Sequence, residues 1–297
     1  MRILVTGGAG FIGSNLINTL KIKYPNCEII SLDNYSSGTV DNHIHDVLYI
    51  EGNTFDIKKI PLLKNFCPDI IFHFGEYSRV CQSLDEPDKT FLSNTYGTQQ
   101  ILDYAVQNNS KLIYSGSSAI FGNNMKDQNL NPYAWTKSKN IELIHNYHDW
   151  YGLNYAICYF YNVYGRNQIK TGKYATVIGT FEQQYETNQL LTVVKPGTQT
   201  RIFTHIDDII DGIILVAEKG FGDDYFLYFD EKHSIIDVAK MFSETKYIFV
   251  DERKGEREQS IIFESRAIKE LNWKPKNRLQ DYIDNFKQNC CLKSNFM

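Results

Sequence analysis

The sequence predicts an α/β fold: a doubly wound parallel sheet flanked by helices, followed by a smaller C-terminal lobe. Three observations carry this. Short apolar runs alternate with longer amphipathic stretches, a glycine-rich turn follows the first run directly, and the alternation gives way to irregular polar segments after about Gly165. The runs at 3–5, 28–32, 70–74, 112–115 and 154–159 have the near-continuous apolar character of strands covered on both faces. Between them, 13–24, 88–108 and 132–151 have helical spacing and length. Parallel strands joined by helical crossovers are the arrangement such alternation favours. Further helices are expected at 206–218, 235–242 and 281–289. Residues 1–165 are assigned to the first domain, with 201–230 returning to it, and 166–200 with 231–297 to the lobe.

A chain of 297 residues, 42% hydrophobic and 22% charged, can bury a full core. Its net charge of −4, with Lys and Arg scattered, offers no basic field, so nucleic acid is not an expected partner. No apolar run approaches the roughly 20 residues of a membrane span. Met1 leads straight into the first strand with no charged leader or apolar signal core, and a cytoplasmic location is expected. The cysteines are dispersed except for Cys290-Cys291 and form no C-x-x-C pair, so no metal site is expected.

The glycine-rich turn reads Thr6-Gly7-Gly8-Ala9-Gly10-Phe11-Ile12-Gly13 between a strand and a helix. Gly8, Gly10 and Gly13 give G-x-G-x-x-G, in which the glycines permit a tight turn, backbone approach to a pyrophosphate and close helix–strand packing. The free N–H groups and dipole of the helix that follows would attract that pyrophosphate. Asp33, at the end of the next strand, is placed to bind the adenosine ribose hydroxyls and to repel a 2′-phosphate. The expectation is a Rossmann-type domain binding NAD, contacted by Gly7, Gly8, Gly10, Phe11, Ile12, Gly13, Asp33 and Asn34, with Asp56 and Ile57 flanking the adenine.

Tyr133 and Lys137 form Y-x-x-x-K, and residues four apart share one helical face. Free tyrosine titrates near pH 10. A neighbouring ammonium and the positive ring of oxidised nicotinamide favour phenolate, which makes Tyr133 a candidate general base. Hydroxyl partners lie on the segment Ser115-Gly116-Ser117-Ser118 upstream.

With these motifs in order, the sequence resembles the extended short-chain dehydrogenase/reductase family, in its NAD-dependent epimerase/dehydratase group. The resemblance also rests on Asp33-Asn34-Tyr35-Ser36-Ser37-Gly38, similar to the D-N-x-S-x-G of sugar 4-epimerases, on His73-Phe74-Gly75, and on Asn94 with Gly97-Thr98. Tyr161-Asn162-Val163-Tyr164-Gly165, Arg201 to Asp208, and Leu271-Asn272-Trp273-Lys274-Pro275 complete it. It implies Ser117 as catalytic hydroxyl, Tyr133 as base and Lys137 as the residue that tunes it and holds the nicotinamide ribose, with Phe74 and Gly75 also on the cofactor. Asn162, Arg201 and Arg253 match positions that hold a substrate diphosphate. Without the resemblance, Arg253 in Asp251-Glu252-Arg253-Lys254 reads as a solvated charge run.

The chain departs from the family pattern at Glu76, Tyr77 and Arg79, which replace small or neutral residues where the sugar is expected. They are read either as a salt-bridged rim or as determinants of substrate choice. The loop 122–132 lacks the family's acidic, proline-rich stretch, implying a more open pocket. Ser260 stands where 4-epimerases gate sugar size, and so small a side chain implies room for an acetamido group.

The resemblance implies an isomerase acting on a nucleotide-diphosphate sugar: a UDP-hexose or UDP-N-acetylhexosamine 4-epimerase working through a transient ketose. Ser118 and Ala119 replace the Asp-Glu pair of the 4,6-dehydratases and disfavour that reaction. A 4-ketosugar reductase or other nucleotide-sugar-modifying enzyme of the same family, and a catalytically silent NAD-binding relative, are the rival readings. The family also implies a homodimer joined through 88–108 and 132–151.

Overall fold

The computed structural model describes residues 1–123, 125 and 129–294. The first half contains β1 (Arg2–Thr6), α1 (Phe11–Lys23), β2 (Glu28–Asp33), β3 (Leu48–Glu51), α2 (Pro61–Lys64), β4 (Ile70–His73), α3 (Val80–Asp85) and α4 (Pro87–Thr90). It continues through α5 (Gly97–Asn108), β5 (Lys111–Ser117), α6 (Pro132–Tyr151), β6 (Tyr155–Phe160) and β7 (Asn162–Tyr164). The second half has α7 (Val177–Glu186), β8 (Leu191–Val194), β9 (Thr200–His205), α8 (Ile206–Lys219), β10 (Gly222–Leu227), β11 (Lys232–Ser234), α9 (Ile235–Phe242), β12 (Tyr247–Val250), α10 (Arg266–Leu271) and α11 (Leu279–Ser294).

Seven parallel strands form the central sheet in the order β10-β6-β5-β4-β1-β2-β3. Its two faces carry separate buried clusters, one with Leu4, Ile71 and Leu112 under α5 and α6, the other with Ile3, Val5 and Ile113 against α1 and α8. Successive residues of each strand thus enter opposite cores, which is why the strands read as unbroken apolar runs. Of the segment 201–230, 222–227 returns to this sheet as β10, whereas 201–205 lies in β9 of a separate three-stranded sheet, β11-β9-β7. A third buried cluster, including Phe181, Val193, Phe203, Val238 and Phe242, packs α7, α9 and α11 around β8 and β9.

Local signals set the helix ends. Asn131 caps α6 by accepting from Ala134 N at 2.8 Å, Pro132 occupies its first turn, and Gly152 ends it at φ +72°. The continuous helix expected over 88–108 is instead divided into α4, a π-helical turn at Phe91–Tyr96 and α5. The tertiary contacts explain the break: the Asn94 side chain bonds both backbone groups of Tyr77, and its carbonyl accepts from Asn140 Nδ2 at 3.0 Å. Insertions of this kind gather near functional sites.

His73, at the end of β4, is fully buried between Thr6 Oγ1 (2.7 Å) and Thr98 Oγ1 (2.9 Å). Burial holds its imidazole down to about 4. The folded value is depressed below the unfolded one, so this contribution to stability is whole above about pH 6.5 and is lost as pH falls toward 4. It amounts to about 3 kcal/mol. Urea melts from pH 7 to 4.5 should therefore show a shallower acid loss in His73→Asn than in the wild type; equal slopes would assign the loss to other groups.

No helix among the described residues is long and apolar enough to cross a membrane. Among the same residues no cluster of His, Cys, Asp and Glu could hold a metal ion. The expectation of an open 122–132 loop falls in part on 124 and 126–128, outside the described residues.

Candidate active site

β2 and β4 flank β1 on opposite sides, so chain direction through the sheet reverses there. Ligands of open α/β sheets bind beyond the strand C-termini at such a point. The turn after β1 is built for close approach. Gly7 has φ +73°, and a Cβ on it would stand 2.8 Å from the Phe74 backbone. A Cβ on Gly13 would stand 2.2 Å from Gly7 O. Gly8 is turned away from the cavity, where a Cβ would meet Ser31 Oγ at 2.3 Å. Gly10 caps α1 with no side-chain bond to the first-turn N–H groups, leaving them available to an anion.

One cavity of about 660 Å³ opens from this turn. Gly7, Gly10, Phe11, Ile12, Gly13, Asp33, Asn34, Phe74 and Gly75 line its dinucleotide end. The Asp33 carboxylate accepts from Ala9 N (2.9 Å) and Tyr35 N (2.8 Å), while burial pushes its pKa upward against these bonds. A cradle with no room for Cβ atoms, uncapped N–H groups and an acid at the end of β2 together fit NAD. Asp56 and Ile57 do not line the cavity. Ile57 is fully buried in the core and Asp56 pairs with Lys59 at 2.8 Å; Gly52 and Thr54 line this stretch instead.

Ser117, Tyr133 and Lys137 lie together on the middle of the same cavity. The neighbouring hydroxyls are engaged elsewhere: Ser115 Oγ donates to His73 O at 3.0 Å, and Ser118 Oγ accepts from Arg257 Nη2 at 2.9 Å. Among the described residues Ser117 Oγ accepts only from Ala119 N, at 3.2 Å, and its hydrogen has no acceptor there, which leaves it available to a ligand. Lys137 is 3% exposed and donates to Ser115 O and Ser115 Oγ, the latter at 3.1 Å. Its ammonium also lies 4.6 Å from the Tyr114 ring centroid.

Glu76, expected beside the sugar, is turned inward. Its side chain is 1% exposed and forms an ion pair with Lys137. Its Oε1 accepts from Asn140 Nδ2 (2.9 Å), Tyr114 OH (3.0 Å) and Thr98 Oγ1 (3.2 Å). A carboxylate can leave water when charge and hydrogen bonds replace its hydration, as they do here. Glu76 still lines the cavity, whereas Tyr77 is displaced from its expected place. It does not line the cavity, and its hydroxyl donates to Glu86 and lies 3.3 Å from Tyr174 OH. Arg79 does line the cavity.

The opposite wall carries Asn162, Arg201 and Arg253. Arg201 is buried, donating to Thr200 O at 2.9 Å and pairing with Glu256 at 3.4 Å, whereas the Arg253 side chain is 59% exposed. Ser260 is off the cavity: it is 1% exposed and its hydroxyl donates to Thr200 O at 3.3 Å. It cannot gate a sugar from that position. Arg257 escaped the sequence reading. It lines the cavity, donates to Ser118 O and Ser118 Oγ, and is held down to about 10 by burial. The only signal for it was a second arginine four residues after Arg253. Together these guanidiniums form a positive wall suited to phosphate oxygens.

A family model described as the NAD dependent epimerase/dehydratase family matches residues 3–226. The fold is similar to that of the UDP-glucose 4-epimerase of Thermotoga maritima, solved with UDP-glucose: TM-score 0.89, 26% identity, covering 97% of this chain and 99% of that one. It is also similar to a dTDP-glucose 4,6-dehydratase of Streptomyces venezuelae solved with NAD bound, with TM-score 0.87 and 25% identity over 97% of this chain and 96% of that one. In sequence the chain is 27% identical to UDP-glucuronic acid decarboxylase 6 of Arabidopsis thaliana, covering 95% of this chain and 86% of that protein.

Proposed function

This chain belongs to the NAD-dependent epimerase/dehydratase family, and on that premise we propose that it is a nucleotide-sugar 4-epimerase acting on a UDP-hexose or UDP-N-acetylhexosamine. The observation that carries the reading is the single cavity joining the glycine cradle, the Ser117–Tyr133–Lys137 group and the arginine wall. In the proposed reaction Arg201, Arg253 and Arg257, with Asn162, hold the diphosphate. Ser117 donates its free hydrogen to the reacting sugar oxygen, and Tyr133 takes the hydroxyl proton and later returns it. Lys137, fixed by Ser115 and Glu76, presents positive charge beside the phenol and the nicotinamide ribose. NAD, when bound, supplies the reversible oxidation of the carbinol to a ketose. The protein's share is positioning and charge stabilisation.

Elimination of water across two carbons would need an acid and a base beside Ser117. Ser118 is held by Arg257 and Ala119 has no titratable group, which supports epimerisation over dehydration. The proposal includes a cytoplasmic homodimer through α4 to α6. Phe91, Leu92 and Tyr96 are 41%, 46% and 50% exposed there, a patch suited to burial.

The test incubates the NAD-loaded protein, without added reductant, with UDP-glucose, UDP-galactose, their N-acetylated counterparts and UDP-glucuronic acid, following the anomeric NMR signals. Interconversion of 4-epimers is expected. Loss of carbon dioxide from the uronic acid, or survival of every sugar unchanged, would replace this reading by decarboxylation or by ketosugar reduction.

A further inference from the structure

Arg79 is the cavity-lining cation without a protein partner among the described residues. Lys137 pairs with Glu76, Lys173 with Glu86, Arg201 and Arg253 with Glu256, and Arg257 donates to Ser118. The Arg79 side chain makes no ion pair and no hydrogen bond among those residues, and its Nε is enclosed with nothing to donate to. Of the residues that the sequence allowed as a salt-bridged rim, Glu76 pairs with Lys137, whereas the Arg79 side chain joins no ion pair among the described residues. Burial weakens the charged form of the guanidinium, and the groups that favour it are the phenols of Tyr133 and Tyr174. A half-buried guanidinium whose Nε has no acceptor has given up part of its hydration, and an anionic ligand in the cavity would replace it.

Its place in the chain separates it from the diphosphate wall. Arg201 is on β9 and Arg253 and Arg257 follow β12, whereas Arg79 precedes α3, which is tied to the catalytic helix by the bond from Tyr133 N to Ser83 Oγ at 3.2 Å. Arg79 and Tyr133 line the same cavity, on segments that this bond holds together. We infer that Arg79 is a subsite for a carboxylate carried by the sugar, which narrows the UDP-hexose of the proposed function to a hexuronic acid. A planar carboxylate accepts the two parallel hydrogen bonds that a guanidinium offers. This rests on the nucleotide-sugar reading above.

The test measures binding of UDP, UDP-glucose and UDP-glucuronic acid to the NAD-loaded protein by calorimetry, for the wild type and for Arg79→Gln. The wild type should bind the uronic acid more tightly than UDP-glucose. In Arg79→Gln the affinity for the uronic acid should fall roughly 10- to 100-fold, the worth of a charge-assisted pair, while UDP and UDP-glucose change less than about threefold. Arg79→Lys, which keeps the charge but loses the fork, should lie between and provides the measurement if the glutamine variant fails to fold. Equal losses for all three ligands would make Arg79 a diphosphate holder, and no loss for any would make it structural; either overturns the proposal. Failure of the wild type to bind UDP at all would overturn the nucleotide-sugar reading itself.

Discussion

Tyr133→Phe should lose turnover by about 10²- to 10⁴-fold while retaining its NAD and its stability. The magnitude is that of a general acid–base group acting directly on the reacting proton. The clean separation from folding follows from the surroundings of this side chain. The main chain of Tyr133 holds it in place, its N–H donating to Ser83 Oγ at 3.2 Å and its carbonyl accepting from Thr136 Oγ1 at 2.9 Å. The phenolic oxygen bonds no protein group among the described residues, so its removal leaves no orphaned partner. Phenylalanine fills the same ring volume. Turnover measured alongside cofactor content and thermal melting checks this. A variant that turns over as fast as the wild type would move the base elsewhere, and one that loses NAD would make the phenol a cofactor contact first.

Glu76→Gln should be costly in stability. Among the described residues the carboxylate is the ion-pair partner of Lys137 and the acceptor for Tyr114, Thr98 and Asn140, all inside the protein. Removing one member of a buried pair strands the other charge, at about 3–5 kcal/mol. For a chain of this size the melting temperature should fall by on the order of 10 °C. If the stranded ammonium is the cause, Glu76→Gln combined with Lys137→Met should be more stable than Glu76→Gln alone, since the pair is coupled. Additive losses in the double variant would show that the hydrogen bonds around Glu76 matter more than its charge. Because Lys137 also loses an anchor, turnover of the single variant should fall even at temperatures where it remains folded.

The parts of this protein legible in the sequence are those fixed by local rules. Buried parallel strands must be apolar on both faces, so the central sheet shows as runs at 3–5, 28–32, 70–74, 112–115 and 154–159. Gly7 and Gly13 are required where a Cβ would strike backbone, and Asp33 follows at the end of the next strand. The π-helical turn within 88–108 had no local signal, because the contacts of Asn94 with Tyr77, Thr136 and Asn140 create it.

Glu76, Tyr77 and Arg79 show the same division at the site. In the sequence they form one polar cluster after β4, with nothing to separate their roles. In the folded chain Glu76 meets Lys137, Tyr77 turns to Glu86, and the Arg79 side chain faces the cavity unpaired among the described residues. Arg257 meets Ser118 across 139 positions, and Ser260 is drawn away from the cavity to Thr200. Sequence by itself determined the fold class, the cofactor cradle and the tyrosine–lysine helix, because backbone sterics and side-chain periodicity act between near neighbours. Only the tertiary structure decided which charges are buried, paired or left open to a ligand, because each depends on desolvation by groups far apart in the chain.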